Sequence, residues 1–118
     1  MKIIGIGIDI ENISRFRKLP YGKNRGFYRK IFTTKEIKYC LSKPDPYQHF
    51  SARFSAKEAV IKAWLKPVNP KDIEIIRASD SLSARIKKRK DLSIFVSMSH
   101  THELAASIVV IAQAPKST

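Results

Sequence analysis

FSAKEAVIKAW, residues 54–64, is the stretch on which the fold turns. It is the inner part of the longest helix-periodic segment, about residues 47–65. Asp45-Pro46 suits a helix start, because the first turn needs no N–H from proline. The two prolines of LKPVNPKD, residues 65–72, end the helix. At about 100° per residue, Phe50, Phe54, Ile61, Trp64 and Leu65 form an apolar band. Ala52, Ala56, Ala59 and Ala63 form a small-residue side where another element can pack tightly. Ser51, Ser55 and Lys62 lie within roughly 60° of Glu58. Lys57 projects into the apolar band, near Phe50 and Trp64. By spacing alone Glu58 and Lys62 read two ways. They are an ordinary i,i+4 ion pair contributing about 0.2–0.5 kcal/mol, or a functional carboxylate with a cation one turn away.

Upstream, residues 2–10 read as a strand with Ile4, Ile6, Ile8 and Ile10 on one face and Ile3, Gly5, Gly7 and Asp9 on the other. Two glycines beside an acid leave that second face bare, so a backbone or a ligand can approach closely. GIGID is not a dinucleotide fingerprint, since the third glycine and the helix opening are missing. A short helix is expected from Asn12 to about Arg17, a turn at PYGKNRG, and a helical turn over residues 27–32. Thr33 followed by Glu36 is a capping-box pattern opening a helix through Leu41. Downstream, strands are expected over residues 72–77, 82–87, 92–98 and 103–112. The whole chain, 1–118, reads as a single α+β domain: one strand, several helices including a long central one, then antiparallel strands.

Composition narrows the partners. An apolar fraction of 43% argues for a packed globular fold, and the formal net charge of +13 for an anionic partner. No acid falls between Asn12 and Lys35, where eight cations do, and residues 85–90 read RIKKRK. The longest apolar stretch, Leu104 to Ala112, is far short of a membrane span. The N-terminal apolar run lacks a cleavage site and meets Asp9 and Glu11 too early for a signal peptide. The single cysteine, Cys40, fits a packed helix position in a reducing cytoplasm.

Should Glu58 meet Asp9 over the glycine face, two carboxylates would suit magnesium, which keeps several waters and takes further ligands from phosphate oxygens. Zinc is disfavoured, because His49, His100 and His102 have no Cys or His cluster at ligand spacing. Lys62 could then neutralise phosphate charge.

GIGIDI (5–10), RFSAKEAVIKAW (53–64) and VSMSHTHELAASIVVI (96–111), in this order and spacing, resemble holo-acyl-carrier-protein synthase, the short 4′-phosphopantetheinyl transferase family. The resemblance spans essentially the whole chain. It implies magnesium-dependent transfer of phosphopantetheine from coenzyme A to a serine of an apo carrier protein, with release of adenosine 3′,5′-bisphosphate. It also implies that Asp9 and Glu58 hold the metal, that Lys62 stabilises developing phosphate charge, and that Glu58 or a metal-bound water deprotonates the serine. Ser99, His100 and Thr101, with Arg53 and Lys57, become coenzyme A contacts. The basic segment holding Arg15, Arg17, Lys18, Arg25 and Arg29, with Phe27 as apolar anchor, becomes the docking surface for an acidic acyl carrier protein. A homotrimer with active sites between subunits, cytoplasmic and serving fatty-acid synthesis, is the expected setting, with neither nucleic acid nor membrane as partner.

Three positions depart from the family pattern. Leu65-Lys66-Pro67 stands where a glycine-rich loop is usual. Ser79 to Leu82 replaces a Gly-x-Pro hairpin, and His102 follows SHT. Two other readings compete: a small basic nucleic-acid-binding protein using the two cationic blocks, and a catalytically inactive relative.

Overall fold

The computed structural model describes residues 1–114. Nine regular elements follow in order: β1 (Lys2–Asn12), α1 (Ile13–Arg17), α2 (Arg25–Ile31), α3 (Thr34–Leu41), α4 (Pro46–Trp64), β2 (Ile73–Ala78), β3 (Ser81–Ile86), β4 (Arg89–His100) and β5 (Leu104–Gln113), with 3-10 turns at Tyr21–Lys23 and Pro70–Asp72. The strands form one antiparallel sheet in the order β1-β5-β4-β3-β2. β1, first in sequence, thus lies at one edge and pairs with the last strand. The expected α+β class holds, and each expected element is present with its ends shifted by one or a few residues. Only β4 is markedly longer, starting at Arg89 instead of Leu92.

The alanine side of α4 and the glycine face of β1 meet, as their small side chains allow. A Cβ on Gly7 would lie 1.9 Å from the Ala59 carbonyl oxygen, and one on Gly5 would lie 2.0 Å from that of Ala63. No side chain fits there, so strand and helix backbones pack directly. A bulge between Ile3 and Gly5 shifts the alternation, and Ile3 is 60% exposed rather than on the glycine face.

Two main cores flank this contact. Ala56, Val60, Ala63 and Trp64 of α4 pack on Ile73, Ile75, Ile86, Ile94, Val109 and Ile111 of the sheet. Phe50 and Phe54, from the other end of the helix, join Phe16, Tyr28, Phe32, Ile37 and Cys40 of the short helices. Burial pushes the Cys40 thiol up to about 12, so it is an inert packing group. The apolar band is therefore divided between two cores. Leu65 leaves it altogether: it is the C-terminal cap of α4 at φ 60° and 83% exposed, because the helix stops before its side chain can turn inward.

Among the described residues none covers the opposite face of β1, β5 and β4. Ile6, Ile8 and Ile10 are each more than 60% exposed, beside Phe95 and Ile108.

Gly7→Ala should lower the stability to urea by at least about 2 kcal/mol, because a Cβ meets backbone oxygen rather than a yielding side chain. Unfolding monitored by Trp64 fluorescence checks this.

Candidate active site

The approach of β1 to α4 brings Asp9 to Lys62. The Lys62 ammonium donates to Asp9 Oδ1 at 3.0 Å and to the Ile8 carbonyl at 3.0 Å. It ties helix to strand, so the simple Glu58–Lys62 pair is not what forms. Asp9 Oδ2 is buried with no hydrogen-bond partner. Glu58, half-buried on α4, has its carboxyl raised above the ordinary range, first by burial and then by the charge of Asp9, with Lys62 opposing.

Sequence reasoning left out a third carboxylate. Glu11 lies two residues beyond Asp9, on the same face of β1. It is pushed up to about 7, mainly by burial, then by a hydrogen bond to Asp9 that only its protonated form can donate, and by the Asp9 charge. With Glu11 ionised, Asp9 Oδ2 is left without a donor. Arg15, one helical turn on, reaches Glu11 Oε1 at 3.4 Å. The strand period alone could have found Glu11. Mutual repulsion between Asp9 and Glu58, and an orphaned buried oxygen, suit a hard cation held by two carboxylates, although among the described residues no three His, Cys, Asp or Glu side chains are gathered as a metal cage. Magnesium therefore fits these residues.

His100, at the end of β4, lies beside the N-terminal half of α4, where Gln48 Nε2 is 3.0 Å from its Nδ1. Ser99 and His100 are exposed. Thr101 shapes the β4–β5 turn: its hydroxyl accepts from Glu103 N–H at 3.2 Å and Leu104 N–H at 3.0 Å. Arg53 is 3% exposed, with its guanidinium 4.1 Å from the centre of the Tyr39 ring and no carboxylate partner among the described residues. It lines a cavity of about 310 Å³ with Lys35, Arg77 and Arg85.

Lys57 is not available to a ligand. It is completely buried, with its ammonium 2.7 Å from Glu36 Oε1 and donating to the carbonyls of Pro70 and Ile73. Glu36, itself 3% exposed, also accepts from Thr33 N–H in the capping box and from Ile75 N–H of β2. Its place in the apolar band was the signal. The expected phosphate contact is corrected to an internal ion pair joining α3, α4 and β2.

In the basic segment, Arg15, Lys18, Arg25 and Arg29 are exposed. Arg17 is held by Asp45 through two hydrogen bonds of 3.0 and 2.8 Å. Phe27 is half-buried, its ring edge-on to Tyr28 at 5.3 Å, so it serves the aromatic core as well as the surface.

A family model described as the 4′-phosphopantetheinyl transferase superfamily matches residues 5–111. The chain belongs to this superfamily. Holo-[acyl-carrier-protein] synthase of Chlamydia caviae is 42% identical over 93% of the chain and 98% of the relative, and that of Thermodesulfovibrio yellowstonii 39% identical over 92% and 98%. The crystal structure of a Bacillus anthracis holo-(acyl-carrier-protein) synthase in complex with CoA (3′,5′-ADP) superposes with a TM-score of 0.79 at 27% identity, covering 98% of this chain and 100% of that one. Among the described residues no helix is long and apolar enough to cross a membrane.

Two outcomes test the site's electrostatics. Lys57→Gln should destabilise the fold by about 3–5 kcal/mol, because it strands the buried Glu36 carboxylate; urea denaturation measures it. For Glu11, a raised carboxyl pKa means that the folded state binds the proton more tightly than the unfolded chain. Its contribution is fully present below about pH 4.5 and is lost as pH rises through about 7. In metal-free buffer Glu11→Gln should therefore raise the melting temperature at pH 8 relative to the parent, with the gain fading toward pH 4.5.

Proposed function

We propose that this protein transfers the 4′-phosphopantetheine group from coenzyme A to a serine hydroxyl of an apo acyl carrier protein. The observation that supports it most directly is that two elements far apart in sequence bring Lys62 onto Asp9 Oδ1 and Glu58 within reach of the Asp9 charge, while Asp9 Oδ2 stays buried and without a donor. The superfamily match and the relatives named holo-[acyl-carrier-protein] synthase favour the same reading.

Asp9 and Glu58 are the proposed magnesium ligands, with Glu11 as a third carboxylate on the same strand face. When bound, the cation would supply charge neutralisation and polarisation of pyrophosphate oxygens. The rest falls to the chain. Lys62, 55% exposed at its side chain and beside Asp9, is placed to attract phosphate and to stabilise charge growing on the leaving bisphosphate. Glu58, with its raised pKa, is the chain's own candidate to take the serine proton, since a base poised nearer neutrality accepts it more readily. His100, turned toward Gln48 through Nδ1, keeps Nε2 for the nucleotide part of coenzyme A, with Ser99 and Thr101 beside it. Arg53 and its cationic cavity offer a phosphate contact.

The exposed cations Arg15, Lys18, Arg25 and Arg29, with Arg17 on their margin, form the proposed landing surface for an acidic carrier, which they would steer and orient. The uncovered isoleucine face supports a homotrimer, because a monomer that exposes so many large aliphatic side chains in one patch is unfavourable in water. We place the enzyme in the cytoplasm, in lipid biosynthesis.

Purified protein with magnesium and coenzyme A should add about 340 Da to an apo carrier protein, read by intact-protein mass spectrometry. Asp9→Ala and Glu58→Ala should each abolish the gain while retaining a cooperative melt. A mass gain that survives in either variant would overturn the metal assignment. Absence of any gain on every carrier of the host would overturn the function.

A further inference from the structure

Apart from Arg85, which also lines the Arg53 cavity, the second cationic block, residues 85–90, is not used by the reaction proposed above. It forms the β3–β4 hairpin, closed by Ile86 pairing with Arg89. The hairpin and the 3-10 turn Pro70–Asp72 line a cavity of about 530 Å³, with Ile86 and Leu92 as its apolar residues. A hydrogen bond of 2.8 Å from Lys87 N–H to the Asp72 carbonyl fixes the two walls relative to each other. The cavity includes none of Asp9, Glu11, Glu58, Lys62 or His100. It lies at β2, β3 and β4, whereas Asp9 is on β1 at the opposite edge of the sheet.

The charges around it are unbalanced. Arg85 is engaged by Glu74 at 2.8 Å and Arg89 by Asp91 at 2.6 Å, so both arginines are neutralised locally. Lys71, Lys87, Lys88 and Lys90 also line the cavity and have no ion-pair partner among the described residues, against the single remaining acid Asp72. Four like charges around one concavity repel one another, and a multiply charged anion relieves that repulsion.

Lys88 sits at φ 66°, in the left-handed region. A two-residue hairpin turn normally puts glycine or asparagine at such a position, since a longer side chain crowds the backbone there. Lys88 lines the cavity in that conformation, as Leu65 and Ser79 hold positive φ elsewhere in the chain.

We propose that this cavity is a binding site for a small oligophosphate, such as a nucleoside triphosphate or inorganic polyphosphate. The phosphates would meet Lys71, Lys87, Lys88 and Lys90, with Ile86 and Leu92 as the apolar residues. Its volume lies in the small-ligand range of about 300–1,000 Å³. Its lining offers no aromatic ring on which successive bases of a nucleic-acid strand could stack. The proposal stands apart from the transferase reading, because its four lysines belong neither to the carboxylate cluster nor to the Arg53 cavity, although Glu74 and Arg85 line both cavities.

Calorimetric titration of the full chain with inorganic tripolyphosphate and, separately, with ATP tests it, both without coenzyme A and with coenzyme A saturating. The expected result is one equivalent bound per chain by at least one of the two probes, persisting when coenzyme A is saturating. Which probe binds more tightly then tells free polyphosphate from nucleotide. The triple change Lys71→Gln, Lys87→Gln, Lys90→Gln, all at exposed positions, should weaken binding at least about tenfold, or 1.4 kcal/mol, with coenzyme A affinity unchanged. Lys88→Asn adds a readout free of folding loss: it should weaken the probe while raising the melting temperature of the free protein. Failure of both probes to bind, loss of binding when coenzyme A is added, or parental affinity in the triple variant would each overturn the site. So would affinity that climbs with the length of a single-stranded oligonucleotide, which would mark an extended nucleic-acid contact instead.

Discussion

Everything in this molecule depends on the close approach of two backbones. Gly5 and Gly7 of β1 lie against the carbonyls of Ala63 and Ala59, with less than a Cβ of room between them. Because nothing intervenes, the strand is clamped at one depth and one register along α4. Asp9, two residues beyond Gly7, is thereby delivered to Lys62, and its second oxygen is buried without a donor. Larger residues on either element would push β1 outward and dissolve the cluster without touching a single charged group. The small residues hold this candidate site in place although none of them belongs to it.

Opposite that clamp, the buried Lys57–Glu36 pair does similar work for the helical layer. One carboxylate answers a helix N-terminus, a β2 amide and an ammonium at once, and the ammonium answers the carbonyls of Pro70, in the α4–β2 connection, and Ile73, at the start of β2. Burial pulls the Lys57 pKa down while Glu36 opposes it, so the ammonium depends on complete hydrogen bonding. Such a pair adds little net stability over an apolar equivalent. Its effect is to join the aromatic core of the short helices to the sheet in one arrangement. Neighbouring residues 57 and 58 thus face different ways, one locked inside and the other opening toward the carboxylate cluster.

The surplus of positive charge separates into regions with distinct surroundings. Around Arg15 to Arg29 the cations stand exposed over an aromatic core, suited to a large acidic surface. At the β3–β4 hairpin they line a cavity, suited to a compact anion. Net charge alone could not divide them, because it is a sum over the whole surface.

By itself the sequence determined the class of fold and named most residues of the candidate site. Hydrophobic periods placed every element, since side-chain alternation and the helical repeat are local properties. The capping box at Thr33 and Glu36 formed as its spacing indicated, and the glycine pair correctly marked a bare strand face. Asp9, Glu58 and Lys62 were legible as residue types, whereas Lys57, expected as a phosphate contact, is buried against Glu36, as its place in the apolar band could have signalled. Tertiary structure alone decided the partnerships. Lys62 turned from Glu58 to Asp9, Lys57 found Glu36 twenty-one positions away, and Glu11 joined the carboxylates. These choices depend on which charges share a desolvated volume. That follows from how far the glycines let strand and helix approach, a distance no local pattern encodes.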